Sequence, residues 1–532
     1  MATIRAQLNY LLPNWFNSRS FLRWPPDAFA LCAFLLLKSG AYTTMLSDWP
    51  PSRGKDWCAY IEQVGRRWRE SCYGGPFPPE ILKWWEVVRK NSTRSTEEIP
   101  SSKLLVRALL QLLAAADEAC AGVGIPSNTD EELDLFDYTA GLQLVMDESN
   151  STLCKFVHGT EARVLPKMHT PQSGLTIRSL THNICFVYGD EMKPIWSVVP
   201  FKKQERDLKL LLMPWPLKIR TDDFRPVPAA QSGMANLPRN FGMFAYRCAD
   251  PRSKVGAILR IFDAALKTAK RIDAVVLPEL ALTEKECAEL HQELYKRRSC
   301  LIAGVKERGT VAPRNSVHVA IPALGRDFST RQAKHHRWKL DLRQVETYKL
   351  KKLARKDFWW EHVDIRDRAI NFYAMKPWLT FSVLICEDLA RPDPVGDTIR
   401  AVGPNLVIAL LMDGPQLEER WPGRHAMALV EDPGCSVLTL TCVGMSELSR
   451  PNGKPTQYQR QIGLWRDPGS SRATAIKLPK SAASVLLDIS IEQREEWTSD
   501  GRSDGTVTGR PVLRSLVFLG RNGNRVGGKS IS

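Results

Sequence analysis

The sequence of 532 residues is most quickly bounded by what it lacks. Its twelve cysteines are scattered, with no CxxC pair and no paired spacing. That argues against both a disulfide framework and a structural zinc site, and it fits a reducing, cytoplasmic setting. The longest apolar run near the N-terminus, residues 28–37 (AFALCAFLLL), is stopped by Lys38. A bilayer span takes about 20 residues, so no membrane helix and no membrane partner are expected. The first twenty residues show no charged region leading into an apolar run and a small-residue cleavage site, so no signal peptide is read there. No internal repeat and no long low-complexity tract interrupts the chain. Acidic residues are also short: 58 Asp and Glu face 74 Lys and Arg, a net charge of +16. Such a surplus favours anionic partners such as nucleic acid, or is simply a solvated basic surface.

What is present is enough apolar material, 43% of residues, to bury cores and to exclude wholesale disorder. The length calls for two or three domains. Residues 1–150 read as mostly helical. Pro25-Pro26-Asp27 starts one helix; Trp57, Ile61, Val64 and Trp68 share a helical stripe; residues 80–90 follow a second Pro-Pro start. The longest candidate covers 102–121, with Ser101 or Ser102 as N-cap and Gly122 as C-cap. Residues 127–150 are acidic and read as a junction or surface segment. Residues 151–204 form a β-rich connecting region. From 205 to 500, nearly all-apolar strands alternate with helices, which indicates an α/β sheet covered by helices. Residues 501–532 read as a partly mobile basic tail rich in Gly and Arg.

Three residues carry the chemistry. Glu279 ends one apolar run (DAVVLPELALT), Cys386 ends another (LTFSVLICEDLAR), and Lys334 lies in a basic stretch (RQAKHHRWKLD). A thiol must lose its proton to attack, and a carboxylate beside it serves as general base. An ammonium stabilises a tetrahedral oxyanion and keeps the carboxylate ionised. Attack on an amide or nitrile carbon gives a covalent intermediate that water resolves. The carboxyl ends of strands are where open α/β sheets build sites.

In these motifs the chain resembles the nitrilase, or carbon–nitrogen hydrolase, superfamily. Val275-Val276-Leu277-Pro278-Glu279 is similar to the family's strand ending in Pro-Glu; Lys334-His335-His336 followed by Glu346 is similar to its lysine motif; LICEDLA is similar to its cysteine motif; and Asn315-Ser316 resembles the pair ahead of the lysine. The resemblance covers about 205–500 and implies a nitrilase-like α-β-β-α sandwich that pairs across a dimer. It implies Glu279 as base, Lys334 as oxyanion-stabilising cation, Cys386 as nucleophile, Glu346 orienting the substrate or leaving amine, and the N–H of Glu387 in an oxyanion hole. Ala333 stands where the family usually has an aromatic residue, and Lys339 is a rival for the lysine role. The segments PPDAFALCAFLLLKSGAY and LLLMPWPLKI, with the basic charge, resemble nitrilase-like proteins found beside or fused to bacterial reverse transcriptases in antiphage defence, which implies a nucleic-acid or reverse-transcriptase partner.

The expected function is hydrolysis of a non-peptide amide or nitrile C–N bond through a Cys386 thioester, with no cofactor. The alternative is a nitrilase-like binding or scaffold module whose basic surface holds nucleic acid or a partner protein. His335 and His336 have no partner at metal-ligand spacing, so no metal is expected. GRNGNRVGGKS lacks the setting and ending of a P-loop. Residues 326–356 hold eleven Lys or Arg with Trp338 and Tyr348 interleaved, a pattern shared by nucleic-acid surfaces, solvated faces and cationic rims.

Overall fold

The computed structural model describes residues 2–17, 19–47, 54–126, 135–146, 151–172, 174–201, 206–232, 237–247, 253–309, 312–323, 326–353 and 356–531. Two large mixed sheets stack face to face. The eight-stranded sheet runs, in spatial order, 326–333, 314–323, 300–307, 274–283, 207–212, 482–494, 508–520 and 525–530. The seven-stranded sheet runs 474–477, 461–466, 436–441, 406–411, 379–385, 369–376 and 193–198.

Period-two alternation decides which residue faces which layer. Leu208, Leu210, Leu212, Ala274, Val276 and Ile302 join the core shared with the seven-stranded sheet. Their neighbours Leu211, Val275, Leu277, Leu301 and Ala303 face outward, onto Ile258, Ile261 and Phe262 of helix Val255–Ala269 and Leu290 and Leu294 of helix Glu284–Lys296. Helix Trp421–Glu431 packs on strands 436–441 and 461–466 of the other sheet. The layer order is therefore α-β-β-α. Strands covered on both faces must be apolar throughout, which is why they read as unbroken hydrophobic runs. The strand that carries Glu279 packs across the interface against strands 406–411 and 436–441.

Helices Pro25–Ser39, Gly54–Ser71, Pro79–Lys90 and Lys103–Ala119 make up most of the N-terminal region. Trp57, Ile61, Val64 and Trp68 are all buried, as their spacing predicts. Two buried aspartates attach these helices to the loops that follow. Asp27 accepts from the backbone N–H groups of Lys155, Phe156 and Val157 at 2.9–3.2 Å. Asp117 accepts from those of His182, Asn183 and Ile184 at 2.9–3.1 Å. Each satisfies three backbone donors with one carboxylate, a charge-assisted arrangement stronger than neutral hydrogen bonds.

Three sequence expectations change. The segment expected as a partly mobile tail folds: Thr508–Gly520 is a thirteen-residue strand paired along its length with Ala482–Arg494, and Arg525–Ser530 pairs outside it. Its Gly- and Arg-rich ends hide an apolar set (Leu513, Leu516 and Leu519) that the sheet buries. Arg502 is buried too, with Nη1 2.9 Å from Asp117 and Nη2 2.6 Å from the Leu180 carbonyl. The connecting region does not end outside the sandwich, because Lys193–Val198 is an edge strand parallel to Ala369–Lys376. The acidic segment holds a helix, Leu135–Met146, whose Phe136, Ala140 and Leu144 are buried; its flanks 127–134 and 147–150 lie outside the described residues. Among the described residues, no helix is long and apolar enough to cross a membrane.

Removing one partner from a buried ion pair costs about 3–5 kcal/mol, whereas exposed substitutions fall within about 0.5 kcal/mol. Arg502→Ala is therefore expected to lower the unfolding free energy by about 3–5 kcal/mol, and the exposed Arg521→Ala to leave it unchanged. Chemical denaturation of the two variants checks this, and equal midpoints would contradict the folded tail.

Candidate active site

Glu279 is aimed by a break in its own strand. Leu277 pairs with Ala303, but Leu282 pairs with Val305, so residues 278–281 bulge out of the ladder. Leu280 takes a left-handed φ of 54° within the bulge. Bulges of this kind re-aim a side chain at the cost of a few ladder bonds. Gly304 makes room for it: a Cβ there would lie 2.3 Å from the Pro278 oxygen and 2.5 Å from the Glu279 Cα.

Cys386 is the first residue after strand Leu379–Ile385 and opens a single 3-10 turn, Cys386–Ala390. Its φ of 50° is left-handed for a residue with a side chain. Such a conformation costs on the order of 1–3 kcal/mol and persists where surrounding packing dictates it, often at functional sites. Lys334 follows strand Arg326–Ala333, and its N–H donates to the Asn315 carbonyl at 2.8 Å, so the edge hairpin delivers the lysine into the interior.

The Lys334 ammonium donates to Glu279 Oε1 at 2.7 Å and to Glu361 Oε2 at 2.6 Å. Asn315 Nδ2 bridges the same two carboxylates, at 2.7 Å to Glu279 and 2.9 Å to Glu361. Lys334, Asn315, Glu279 and Cys386 are 0–2% exposed. Burial alone pulls the ammonium's pKa down, but Glu279 and Glu361 outweigh it and hold Lys334 protonated well above the ordinary lysine range. Burial pushes Glu279 up from the ordinary carboxylate range, against the opposing pull of Lys334 and Asn315. Burial and then the Glu279 charge push the Cys386 thiol well up, with Lys334 acting in the other direction. Cys386 is thus a neutral thiol whose electrostatic neighbours are the lysine and the carboxylate.

Asp388, two residues past the cysteine, fastens the lysine segment to the cysteine turn. Its carboxylate accepts from the backbone N–H groups of His335 and His336 at 2.9–3.1 Å. The two histidines are occupied in that joint, His336 Nδ1 lying 3.2 Å from Asp388 and His335 Nε2 2.7 Å from the Ala369 carbonyl. Among the described residues, the one His/Cys/Asp/Glu group close enough to hold a metal is Asp117, Glu118 and His182. Arg502 already places its guanidinium against both of those carboxylates.

The structure thus brings Glu279, Lys334 and Cys386 into one cluster and leaves two sequence candidates outside it. Glu346 is exposed on the short helix Leu342–Thr347, and among the described residues its side chain makes no hydrogen bond or ion pair with the cluster. Glu361, at the end of strand Phe358–Glu361, is the second carboxylate on the lysine. Lys339 is exposed and lies over the Phe358 ring at 4.3 Å, which separates it from Lys334. Glu387 stands beside Cys386 with its side chain 19% exposed and 3.7 Å from Arg391; burial raises its pKa. Sequence reasoning missed Glu361 and Asp388. Glu361 does end an apolar-aromatic run, FWWE, as Glu279 ends its own run.

A small third sheet, ordered 339–341, 358–361, 241–246 and 224–227, covers the cluster. Its core packs Phe224, Phe244, Trp338, Tyr348 and Trp359 against Leu280, Met412, Cys442 and Met445, which lie at or just beyond the carboxyl ends of sandwich strands. The Tyr348 hydroxyl donates to Asp413 at 2.7 Å, and Arg420 holds the same carboxylate at 2.8 Å.

No family model and no curated protein matches the chain. Solved structures similar to it include an amidase from Nesterenkonia sp. (11% identity, 61% of this chain and 87% of that one, TM-score 0.27). Another is Saccharomyces cerevisiae Nit3, a member of branch 10 of the nitrilase superfamily (14% identity, 51% and 85%, TM-score 0.28). A third is XC1258 from Xanthomonas campestris, a CN-hydrolase superfamily protein (14% identity, 52% and 92%, TM-score 0.28). With TM-scores this low, these likenesses add no weight; the sandwich and the cluster rest on the contacts of this chain.

The two glutamates give opposite expectations. Glu361→Gln removes one of the two carboxylates that hold Lys334 and is expected to cut any Cys386-dependent turnover by on the order of 10²–10³. Glu346→Gln is expected to change it less than twofold. Steady-state kinetics of the two variants side by side decide which glutamate belongs to the site.

Proposed function

We propose that this chain is a cysteine-dependent hydrolase of a non-peptide C–N bond, an amide or a nitrile, acting through a thioester on Cys386. The observation that carries this reading is the Lys334 ammonium held between Glu279 and Glu361 in the same buried cluster as a thiol in a left-handed turn. Glu279 Oε1 is occupied by Lys334 and Asn315, whereas Oε2 is buried and accepts no hydrogen bond among the described residues. That oxygen is the one left to receive a proton.

For an amide, the thiol proton passes to Glu279 as the sulfur bonds to the carbonyl carbon. A preformed thiolate is not required, which suits a thiol whose pKa is raised. Lys334 has three N–H donors; two are taken by carboxylates and the third is available to the oxyanion. When the tetrahedral adduct collapses, Glu279 returns the proton to nitrogen, the C–N bond breaks and the amine departs. Water then attacks the thioester, losing its proton to Glu279. The acid leaves, and the sulfur recovers the proton. Glu361 and Asn315 act through Lys334 and Glu279 by fixing where they point. Asp388 is a positioning residue of the same kind, since it ties the lysine segment to the cysteine turn.

A second reading has its own observation. Cys386 is 1% exposed and Lys334 0%, under a cover sheet latched by Tyr348, Asp413 and Arg420. A binding or scaffold module with the same frame would leave the cluster sealed. Turnover requires the cover to move, as lids do in many enzymes. No feature of the site bears on the antiphage role or the reverse-transcriptase partner that two segments imply by resemblance.

Ammonia release from a panel of short amides and nitriles separates the readings: wild type is expected to release it and Cys386→Ala to release none. If Cys386→Ala keeps the full biological activity of the protein, the scaffold reading holds instead. The pH profile carries the signature of burial. A base whose folded pKa is raised is lost to protonation as pH falls through that raised value. The acid limb of kcat/KM is therefore expected above the ordinary glutamate value of about 4.3. Lys334, held protonated well above its ordinary range, does not set the alkaline limb.

A further inference from the structure

The eleven cations of residues 326–356 turn out to be a poor candidate for the anion-binding surface that the charge surplus suggests. Lys334 is buried in the cluster, Arg331 faces Glu307 at 3.3 Å, and Lys352 faces Asp222 at 3.1 Å. Lys356 donates to the carbonyls of Arg239 and Phe241, Arg337 donates to that of Val363, and Lys339 lies over Phe358. Much of that charge serves the fold.

A different set of cations converges on a cavity of about 1100 Å³ on the far side of the cover sheet. Arg225 and Arg247 come from the strand pair 224–227 and 241–246 and its end, Lys285 from the start of helix Glu284–Lys296, and Lys306 and Arg308 from the end of strand Cys300–Glu307. Five cations thus line it beside two carboxylates, Glu284 and Glu307. Of the five, Lys306 also donates to the Tyr246 carbonyl, and Arg225 donates through Nε to the Asp222 carbonyl at 3.2 Å, which leaves its terminal nitrogens for the hollow. Glu307 is already engaged, accepting from the Ser316 hydroxyl at 2.7 Å and facing Arg331. Among the described residues, no carboxylate pairs with Arg225, Arg247, Lys285 or Arg308 within 4.0 Å. His362 also lines the cavity; burial and then Arg337 push its pKa down, so near neutral pH it adds hydrogen-bonding capacity rather than charge.

Like charges converging in one hollow repel one another, and a multiply charged anion relieves that repulsion. Arginine forks match phosphoryl oxygens two at a time, and three of the five cations are arginines. The cations gather around one hollow rather than in a stripe tracking along the surface, which suits a small ligand better than a nucleic-acid strand. We propose that this cavity binds a small molecule bearing a diphosphate or triphosphate group. The site is separate from Cys386 and does not require it to turn over. It does share elements with the cluster: Lys306 is two residues past Gly304, which packs against Glu279, and His362 directly follows Glu361.

Isothermal titration of the full chain with inorganic pyrophosphate and with ATP at low salt tests this, alongside a twenty-nucleotide single-stranded DNA. Wild type is expected to bind pyrophosphate or ATP at one site, with affinity falling as salt rises. Arg225→Ala/Arg247→Ala and Arg308→Ala are expected to weaken that binding at least tenfold. The thermal midpoint should not move, because all three side chains are exposed. Arg343→Ala, exposed and outside the cavity, is the control. The proposal is overturned if neither phosphate compound binds, if the cavity variants bind as wild type does, if Arg343→Ala loses as much, or if only the oligonucleotide binds.

Discussion

The interaction on which the rest depends is the Lys334 ammonium buried between two carboxylates. Moving charges out of water costs several kcal/mol per ion after relaxation, and only close, well-hydrogen-bonded geometry recovers it. Here recovery comes from four contacts of 2.6–2.9 Å, two from Lys334 and two from Asn315. Such a group is a poor way to stabilise a fold, since apolar residues of the same volume often do as well. Its presence makes chemical sense if the lysine must stay protonated beside a thiol and a carboxylate whose proton affinities are raised. The surrounding structure reads as the set of devices that hold this arrangement. A bulge aims Glu279, Gly304 gives it room, an edge hairpin delivers Lys334, and Asp388 binds the lysine segment to the cysteine turn.

That the second half is an α/β sheet covered by helices was legible because strands buried on both faces have to be apolar along their whole length, whereas the α-β-β-α layering was only implied by resemblance. Runs such as LVIALL leave little else to form. Glu279 and Cys386 were legible for the same reason, as polar residues ending such runs. Lys334 was less so, because a lysine in a basic stretch looks solvated until the hairpin register carries it inside. Lys339, five residues on, shows the ordinary outcome.

The parts that stayed hidden depend on tertiary context. Glu361 lies 27 residues beyond Lys334, and no local period links the two; the cover sheet brings it in by pairing Phe358–Glu361 with Phe241–Phe244. Glu346 had the spacing a sequence reader looks for, but the short helix that carries it leaves it in solvent. The C-terminal segment was misread because its composition, rich in Gly and Arg, outweighed the apolar residues Leu513, Leu516 and Leu519, whose spacing of three shows no strand alternation. Arg502 in turn was unreadable without Asp117, 385 residues away.

The most direct test of the central claim is intact-protein mass spectrometry during incubation with an amide or nitrile substrate, quenched in acid at successive times. The account predicts a mass increase equal to the acyl group on wild type, mapped to Cys386 by peptide analysis and absent from Cys386→Ala. It also predicts that adduct forms much more slowly on Glu279→Gln, because the group that takes the thiol proton is gone. Hydrolysis of a substrate by wild type with no adduct at Cys386, and with Cys386→Ala equally active, would contradict it.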